Sequence, residues 1–149
     1  LKNSLILDDT YNAGPESTRV ALETIKDAPG KRKIVILGDM LELGKYTEAV
    51  HRSIGDQAAE FVDILVTIGV RAKFIADEAG LKGLDKSKIF MFDNTDSARG
   101  FLDQLIKEGD LILVKGSQGM RMEKIVEEIM VDPERAGELL VRQEEYWSR

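Results

Sequence analysis

The sequence predicts an α/β fold, a three-layer αβα sandwich with a mainly parallel sheet of five to six strands. Two observations carry this prediction. Short apolar runs alternate with amphipathic helical patterns along the whole of the 149-residue chain, and this alternation is typical of strand–helix–strand units. The runs are also continuous and rich in isoleucine and valine, as expected of parallel strands that are buried on both faces. The composition, with 43% hydrophobic and 32% charged residues, is that of one globular domain with a sizeable core.

Five apolar runs predict the strands of the sheet. A glycine, an aspartate or a lysine follows each run, so that a polar or small residue marks the point where the strand ends. The predicted strands are residues 5–7, 33–37, 62–68, 89–92 and 111–114.

Helical spacing of apolar residues separates the strands. Pro15 suits a first helical position, and apolar residues then recur every three or four positions. Predicted helices cover residues 15–25, 50–58, 72–79, 98–106 and 122–130. Asp132 and Pro133 then interrupt the chain and begin a last, charged helix that is predicted to reach Trp147. The sequence thus divides into a domain of residues 1–131 and a helical extension of residues 132–149.

Charge and cysteine content exclude several classes of function. The formal net charge of −6 argues against non-specific binding to nucleic acid or to an anionic membrane. The chain has no cysteine and one histidine, so neither a disulfide nor a thiolate metal site is expected. We expect a cytoplasmic protein without a membrane span. Because the chain begins with Leu1 and enters a strand within a few residues, we expect it to be a piece of a longer protein.

Polar residues at the ends of the first and last predicted strands indicate a ligand site. Asp8 and Asp9 end the first strand, and Lys115, Ser117 and Arg121 follow the last one. In an open α/β sheet both segments lie at the carboxyl ends of strands, where such folds bind ligands. Acidic and basic groups that converge there favour a phosphorylated or zwitterionic ligand. The alternatives are that Asp9 or Asn12 caps the following turn and helix, and that Lys115 is a solvated lysine.

The segment after the second strand is a weaker candidate. Asp39 and Glu42 lie in a glycine-bounded loop, where they could orient a substrate amine or a metal. A capped turn is the alternative interpretation. The dinucleotide fingerprint G-x-G-x-x-G is absent. His51, the one histidine, lies within a helical pattern and is expected to be a surface or packing residue rather than a catalyst.

Taken together, three segments resemble the C-terminal domain of the Mur ligases, in the order and spacing of that family, over about residues 5–130. The resemblance is to the branch of the family that adds D-alanyl-D-alanine. Gly14 stands where asparagine is frequent, and Gln118 where arginine is frequent. The segments are Asp8-Asp9-Thr10-Tyr11-Asn12-Ala13-x-Pro15, Gly38-Asp39-Met40-x-Glu42-Leu43-Gly44 and Lys115-Gly116-Ser117-x-Gly119-Met120.

The resemblance implies a Rossmann-like domain of a three-domain, ATP-dependent ligase of cell-wall precursor synthesis. An N-terminal domain would hold UDP-N-acetylmuramoyl-tripeptide, and a central domain would bind most of ATP and Mg²⁺. The domain in this chain would bring D-alanyl-D-alanine and close over ATP. The substrate carboxylate becomes an acyl phosphate, which the dipeptide amine converts to an amide. The resemblance also implies a monomer that contacts its own two other domains, and a fragment that is inactive alone.

Roles for individual residues follow from the same resemblance. It assigns no catalytic residue and no metal ligand within this chain. On the ATP side it implies contacts from Asp8, Asp9, Tyr11 and Asn12. On the dipeptide side it implies contacts from Asp39, Glu42, Lys115, Ser117 and Arg121.

Two alternatives of other classes remain open on the sequence. One is a receiver-like signalling domain, which also has two acidic residues after its first strand and a lysine after its fifth. It needs an aspartate at the end of its third strand, where this chain has Thr67-Ile68-Gly69. The other is a stand-alone α/β binding domain that shares the fold without the ligase activity.

Overall fold

Six strands form one parallel sheet in the computed structural model of this protein, which describes residues 5–9, 14–29, 32–107, 109–116, 125 and 139–141. Every neighbouring pair is parallel, and the order across the sheet is β4-β3-β2-β5-β1-β6. The strands are β1 (Leu5–Asp9), β2 (Arg32–Gly38), β3 (Ile64–Ile68), β4 (Ile89–Phe92), β5 (Asp110–Lys115) and β6 (Leu139–Val141).

Four helices connect the strands within the described residues, as the apolar spacing predicts. Pro15 is the first residue of α1, where its missing N–H costs no helical hydrogen bond. The Asn94 side chain caps α4 by accepting a hydrogen bond from the Ser97 N–H at 2.9 Å. The helices are α1 (Pro15–Asp27), α2 (Thr47–Ala59), α3 (Lys73–Leu81) and α4 (Thr95–Leu105), with 3-10 turns at Gly44–Tyr46 and Lys86–Lys88.

Two apolar layers cover the sheet, one on each face, and they confirm the three-layer α/β architecture. In β2, Val35 and Leu37 pack with α1, α2 and α3 on one face. Ile34 and Ile36 point to the other face, where they pack with α4 and the helical residue Ile125. Each fully buried residue of this kind stabilises the fold by roughly 1.5–3 kcal/mol. None of the described helices is long and apolar enough to cross a membrane.

The tail differs from the sequence prediction. Leu139–Val141 forms β6, a strand at the edge of the sheet beside β1, so the helix predicted through these residues is wrong there. Three consecutive apolar residues have no helical period, and pairing with the open edge of β1 supplies backbone hydrogen bonds that the isolated segment lacks. The other residues of the predicted extension, and residues 122–130 apart from Ile125, lie outside the described residues.

The strand order creates a switch point between β2 and β5. After β2 the chain continues into α2 on one face of the sheet, whereas after β5 it continues to Ile125 on the opposite face. Connections that leave neighbouring strands on opposite faces open a crevice at the carboxyl ends of those strands, which is where α/β folds bind ligands. The segments after β2 and β5 therefore border this crevice.

The amino end of the same two strands is closed by an ion pair. Arg32 and Asp110 face each other in register. Their side chains form two parallel bonds, Nε to Oδ1 at 2.9 Å and Nη2 to Oδ2 at 2.7 Å. Arg32 also donates to the Leu105 carbonyl, and the Lys107 N–H donates to Asp110. The hydrogen bond from Asp110 raises the pKa of Arg32, although burial opposes it.

Candidate functional site

Residues from all three candidate segments end neighbouring strands. Lys115, the last residue of β5, pairs in register with Asp9 of β1 on one side and with Leu37 of β2 on the other. Asp39 lies two positions beyond Leu37. The topology thus brings Asp9, Lys115 and Asp39 to one edge of the sheet, as predicted from the sequence.

Lys115 is buried at this edge, with 1% of its surface exposed. Lysine is almost never fully buried unless its ammonium group is paired, because desolvation of the charge is costly. A solvated surface lysine, the alternative left open by the sequence, therefore does not describe this residue. Lys115 lies in the interior of the site rather than on its rim.

Asp39 joins the end of β2 to the start of α3. Its carboxylate accepts a hydrogen bond from the Ala72 N–H at 2.7 Å and one from the Arg71 guanidinium at 3.1 Å. The side chain is 3% exposed. Ala72 immediately precedes α3, so that the carboxylate lies at the helix N-terminus, where the helix dipole favours a negative charge. Asp39 thus caps the N-terminus of α3, 33 residues later in the chain, rather than its own turn.

Gly69 makes room for this carboxylate. Its φ angle is +115°, a conformation that residues with a side chain rarely adopt. A Cβ atom built on Gly69 would lie 2.3 Å from Oδ1 of Asp39. Both the backbone conformation and the space at this position therefore require glycine.

His51 holds the loop after β2 from the other side. The Met40 N–H donates to Nε2 at 3.0 Å, and Nδ1 lies 2.6 Å from the Thr47 carbonyl. Nε2 acts as the acceptor, so the proton is on Nδ1 and the ring is neutral. Burial lowers the pKa of His51, against opposing effects of the Thr47 hydrogen bond and the Asp39 charge. The ring is fully buried, so of the two roles left open by the sequence, surface or packing, the structure supports packing.

Glu42 adopts a strained backbone conformation in the same loop. Its φ angle is +65° and it is the one non-glycine residue with a positive φ among the residues described. A left-handed conformation costs an L-residue roughly 1–2 kcal/mol. The residue is exposed, and the 3-10 turn Gly44–Tyr46 follows it. Its predicted contact with a ligand stays a prediction.

Several predicted contacts lie outside the part of the chain that the structure describes. These are Tyr11 and Asn12 on the ATP side, and Ser117 and Arg121 on the dipeptide side. Asp8 and Asp9 form the end of β1. Their ligand roles also stay predictions.

Sequence reasoning gave no role to Gly69 or Arg71. A glycine directly after a predicted strand was the one available signal, and glycines in such positions are common. The partner of Arg71, Asp39, comes 32 residues earlier. Only the adjacency of β2 and β3 brings the two residues together.

The described residues exclude the aspartate arrangement of a receiver domain, and they contain no group of side chains that could hold a metal ion. β3 ends at Ile68 and Gly69 follows, so the aspartate that a receiver domain needs is absent from that strand end. In the same described part of the chain, no group of three histidine, aspartate or glutamate residues is arranged to hold a metal ion. The Asp39 carboxylate already has two donors in the protein.

Comparison with known proteins identifies similar domains. A family model for the Mur ligase, glutamate ligase domain matches residues 2–118. UDP-N-acetylmuramoyl-tripeptide–D-alanyl-D-alanine ligase of Bacillus subtilis is 34% identical over 130 residues, which are 86% of this chain and 28% of that protein. The Escherichia coli ligase of the same name is 34% identical over 128 residues, 84% of this chain and 26% of that protein.

Solved structures show the same fold. The MurF ligase of Thermotoga maritima in complex with ADP matches with a TM-score of 0.72 and 28% identity, over 90% of this chain and 30% of that one. A MurF structure from Acinetobacter baumannii matches with a TM-score of 0.72 and 30% identity, over 83% of this chain and 27% of that one. The chain thus spans less than a third of the length of these relatives.

Proposed function

This chain belongs to the Mur ligase family, and from that premise we propose that it is the C-terminal domain of an ATP-dependent ligase that joins D-alanyl-D-alanine to UDP-N-acetylmuramoyl-tripeptide. The relatives that carry this name are 34% identical over most of the chain. The observation that carries the proposal is the placement of Asp9, Asp39 and Lys115, from three separate segments, at the carboxyl ends of the neighbouring strands β1, β2 and β5.

The proposed reaction has two steps. The tripeptide carboxylate attacks the γ-phosphorus of ATP, which gives an acyl phosphate and ADP. The dipeptide amine then attacks the acyl carbon, and the tetrahedral intermediate collapses to the amide and inorganic phosphate. Water competes with the amine for the acyl phosphate, so that the cleft must exclude it.

In this reaction the domain positions the dipeptide and closes the cleft. We assign the ATP side to Asp8, Asp9, Tyr11 and Asn12, which lie at or after the end of β1. The loop after β2 and the end of β5 form the dipeptide side. In that loop, Asp39 holds the Arg71 guanidinium and the Ala72 N–H in place. The dipeptide side comprises Asp39, Glu42, Lys115, Ser117 and Arg121.

Other domains of the full protein would supply the remaining parts of the site. The described residues provide no cluster for a metal ion, and we assign Mg²⁺ and most of the ATP contacts to the central domain. Mg²⁺ would neutralise the charge on the transferred phosphoryl group. The N-terminal domain would hold the UDP-linked tripeptide. We propose that the enzyme is a cytoplasmic monomer whose C-terminal domain closes on the central one.

Substrate-dependent release of phosphate by the full-length protein tests this function. The assay supplies ATP, Mg²⁺ and UDP-N-acetylmuramoyl-tripeptide, with D-alanyl-D-alanine or D-glutamate as the amine. We expect phosphate release when D-alanyl-D-alanine is the amine and none when D-glutamate is the amine. Release with D-glutamate in place of the dipeptide would contradict the proposed substrate.

The isolated chain and the upstream reading frame provide two controls. The 149-residue chain alone should show no dipeptide-dependent phosphate release, and turnover by it would contradict the three-domain proposal. A glycine-rich loop that ends in Gly-Lys-Ser or Gly-Lys-Thr, a few hundred residues upstream of Leu1, is also expected. Its absence would favour a stand-alone binding domain.

A further inference from the structure

We propose that Arg71 binds the terminal carboxylate of the incoming dipeptide and that Asp39 positions it to do so. This inference rests on the proposed function, which assigns a dipeptide to this side of the crevice. It adds Arg71 to that site. This residue lies on the turn after β3, outside the three segments that carry the family resemblance.

The first argument is the place of the guanidinium group. Arg71 belongs to the turn between β3 and α3, one strand farther from the switch point than β2. Its Nη1 atom nevertheless lies 3.1 Å from Oδ2 of Asp39, at the end of β2. The ion pair thus places the positive charge of Arg71 next to Asp39, at the border of the crevice.

The second argument is the difference in burial between the two members of this pair. The Asp39 side chain is 3% exposed, whereas that of Arg71 is 49% exposed. An arginine has five N–H donors. Within the described part of the chain, the Arg71 side chain makes one hydrogen bond, to Asp39. Its other N–H donors therefore remain accessible to a solute.

The third argument is that Asp39 cannot turn away from this arrangement. The Ala72 N–H holds its other oxygen at 2.7 Å, and Gly69 lets the carboxylate approach the backbone closely. A guanidinium that is anchored on a fixed carboxylate loses less conformational freedom when it binds a ligand. Asp39 is therefore a positioning residue, and Arg71 is the residue that touches the ligand.

The chemistry of the site favours a carboxylate. A guanidinium is a planar fork that matches a carboxylate with two parallel hydrogen bonds. Among the described residues at the carboxyl ends of β5 and β3, Lys115 is 1% exposed, whereas the side chain of Arg71 is 49% exposed and accessible. The dipeptide has one free carboxylate, at the end opposite to its reacting amine.

Sheet geometry separates this site from the nucleotide. β1, whose end we assign to ATP, is three strands from β3 in the order β3-β2-β5-β1. At the usual spacing the two strand ends are roughly 14 Å apart. Arg71 therefore belongs to the dipeptide side rather than to the phosphate side.

The test compares two amine substrates in the full-length ligase, D-alanyl-D-alanine and its C-terminal amide, which lacks the carboxylate. The variants are Arg71→Gln and Arg71→Lys. The matched control is Arg19→Gln, because Arg19 is 42% exposed and paired with Glu16 at 3.5 Å, but lies on α1. We expect Arg71→Gln to raise the KM for the dipeptide by about 10- to 100-fold and to leave the KM for the amide unchanged.

The other measurements complete the expected pattern. Arg71→Lys should lie between the wild type and Arg71→Gln, because lysine keeps the charge but lacks the fork. Asp39→Asn should raise the KM for the dipeptide by a smaller factor, since Arg71 is present but no longer anchored. Arg19→Gln should match the wild type, and the KM for ATP should be unchanged in all variants.

Three results would overturn the inference. An equal rise of KM for the dipeptide and the amide in Arg71→Gln would make Arg71 a structural residue. A rise of the KM for ATP would assign its ligand to the nucleotide phosphates. Failure of the wild-type enzyme to use the dipeptide at all would overturn the proposed function itself, and this inference with it, so that the two failures are distinguishable.

Discussion

Two aspartate–arginine pairs lie at opposite ends of the central strands, and they differ in how much of each arginine is used. At the amino end, Arg32 donates two parallel hydrogen bonds to Asp110 and a third hydrogen bond to the Leu105 carbonyl. At the carboxyl end, Asp39 and Arg71 form a single bond. The side chains of both aspartates are 3% exposed, but Arg32 is 24% exposed and Arg71 is 49% exposed.

The comparison shows that burial of the acid alone does not indicate what an ion pair does. The amino-end pair engages three Arg32 donors within the protein and ties the starts of β2 and β5 to Leu105, the last residue of α4. The carboxyl-end pair satisfies the acid but leaves the arginine half exposed beside the crevice. We infer that the first pair serves stability and the second serves binding, and mutations can separate these two roles.

The largest expected effect on stability is at the amino end. Asp110→Ala leaves the Arg32 guanidinium and the Lys107 N–H without their partner, and the loss of one member of a buried pair typically costs about 3–5 kcal/mol. Urea unfolding of the 149-residue chain should show a loss of about 3 kcal/mol. Asp110→Asn, which keeps the shape and an acceptor, should lose less. A change in the KM for the dipeptide, measured in the full-length protein by the proposed reaction, would contradict the division between the two ends.

The next largest effect is at Gly69. In Gly69→Ala a Cβ atom would meet the Asp39 carboxylate at 2.3 Å and the φ angle of +115° would be strained, so we expect a loss of about 2–3 kcal/mol in the free energy of unfolding. Gly100→Ala is the matched control, because nothing lies within 4 Å of a Cβ at this position in α4. It should stabilise the chain by about 0.5–1 kcal/mol. Equal effects of the two substitutions would contradict the close approach at Asp39.

A pH-dependent effect is expected at His51. Its pKa in the folded chain lies below the ordinary value of 6.5, chiefly because of burial, so the unfolded chain binds more protons between these two values. The free energy of unfolding should therefore be constant above about pH 6.5 and fall as the pH is lowered towards the folded pKa. The slope is at most about 1.4 kcal/mol per pH unit.

The pH effect is measured as a difference between two chains. His51→Gln keeps an acceptor for the Met40 N–H but cannot titrate, so subtraction of its unfolding curve between pH 7.5 and 5 cancels the contributions of the carboxylates. We expect the wild type to lose stability relative to His51→Gln on acidification. Parallel curves would show that His51 does not keep its neutral form in the folded chain.

The smallest effect is at Glu42. Glu42→Gly removes the strain of a φ angle of +65°, but it also adds freedom to the unfolded chain, so we expect a gain of only about 0.5 kcal/mol. The reverse change nearby, Gly44→Ala, introduces a Cβ at a φ angle of +55° with no atom within 4 Å and should cost about 1 kcal/mol. A loss of stability in Glu42→Gly would mean that the glutamate side chain stabilises the loop.

Most of the layers could be predicted from the sequence because burial leaves a local pattern. β2 is apolar on both faces, and α1 and α4 each carry an apolar stripe, so that periodicity alone identifies them. The tail could not be predicted in this way. Leu139–Val141 is too short to show a period, and its strand conformation depends on the edge of β1, more than 130 residues earlier in the chain.

The candidate site was only partly predictable, for a related reason. That the candidate residues lie at the carboxyl ends of strands follows from the apolar runs that precede them in the sequence. What Asp39 contacts does not, because Gly69 and Arg71 reach it only through the pairing of β2 with β3. Local patterns thus indicate where a site lies, whereas contacts between distant segments decide what its side chains do.

The position of β5 also determines the order in which the domain can assemble during its synthesis. β2, β3 and β4 are neighbours in sequence and in the sheet, so they can pair as soon as they leave the ribosome. β1 is made first but has no place beside β2 until β5 is inserted between them. The centre of the sheet therefore closes only after Lys115 has been made, and contacts of such long sequence separation slow folding. Until then, the edge of β2 that later pairs with β5 has no partner. Unpaired strand edges of this kind are prone to aggregation, against which chaperones protect.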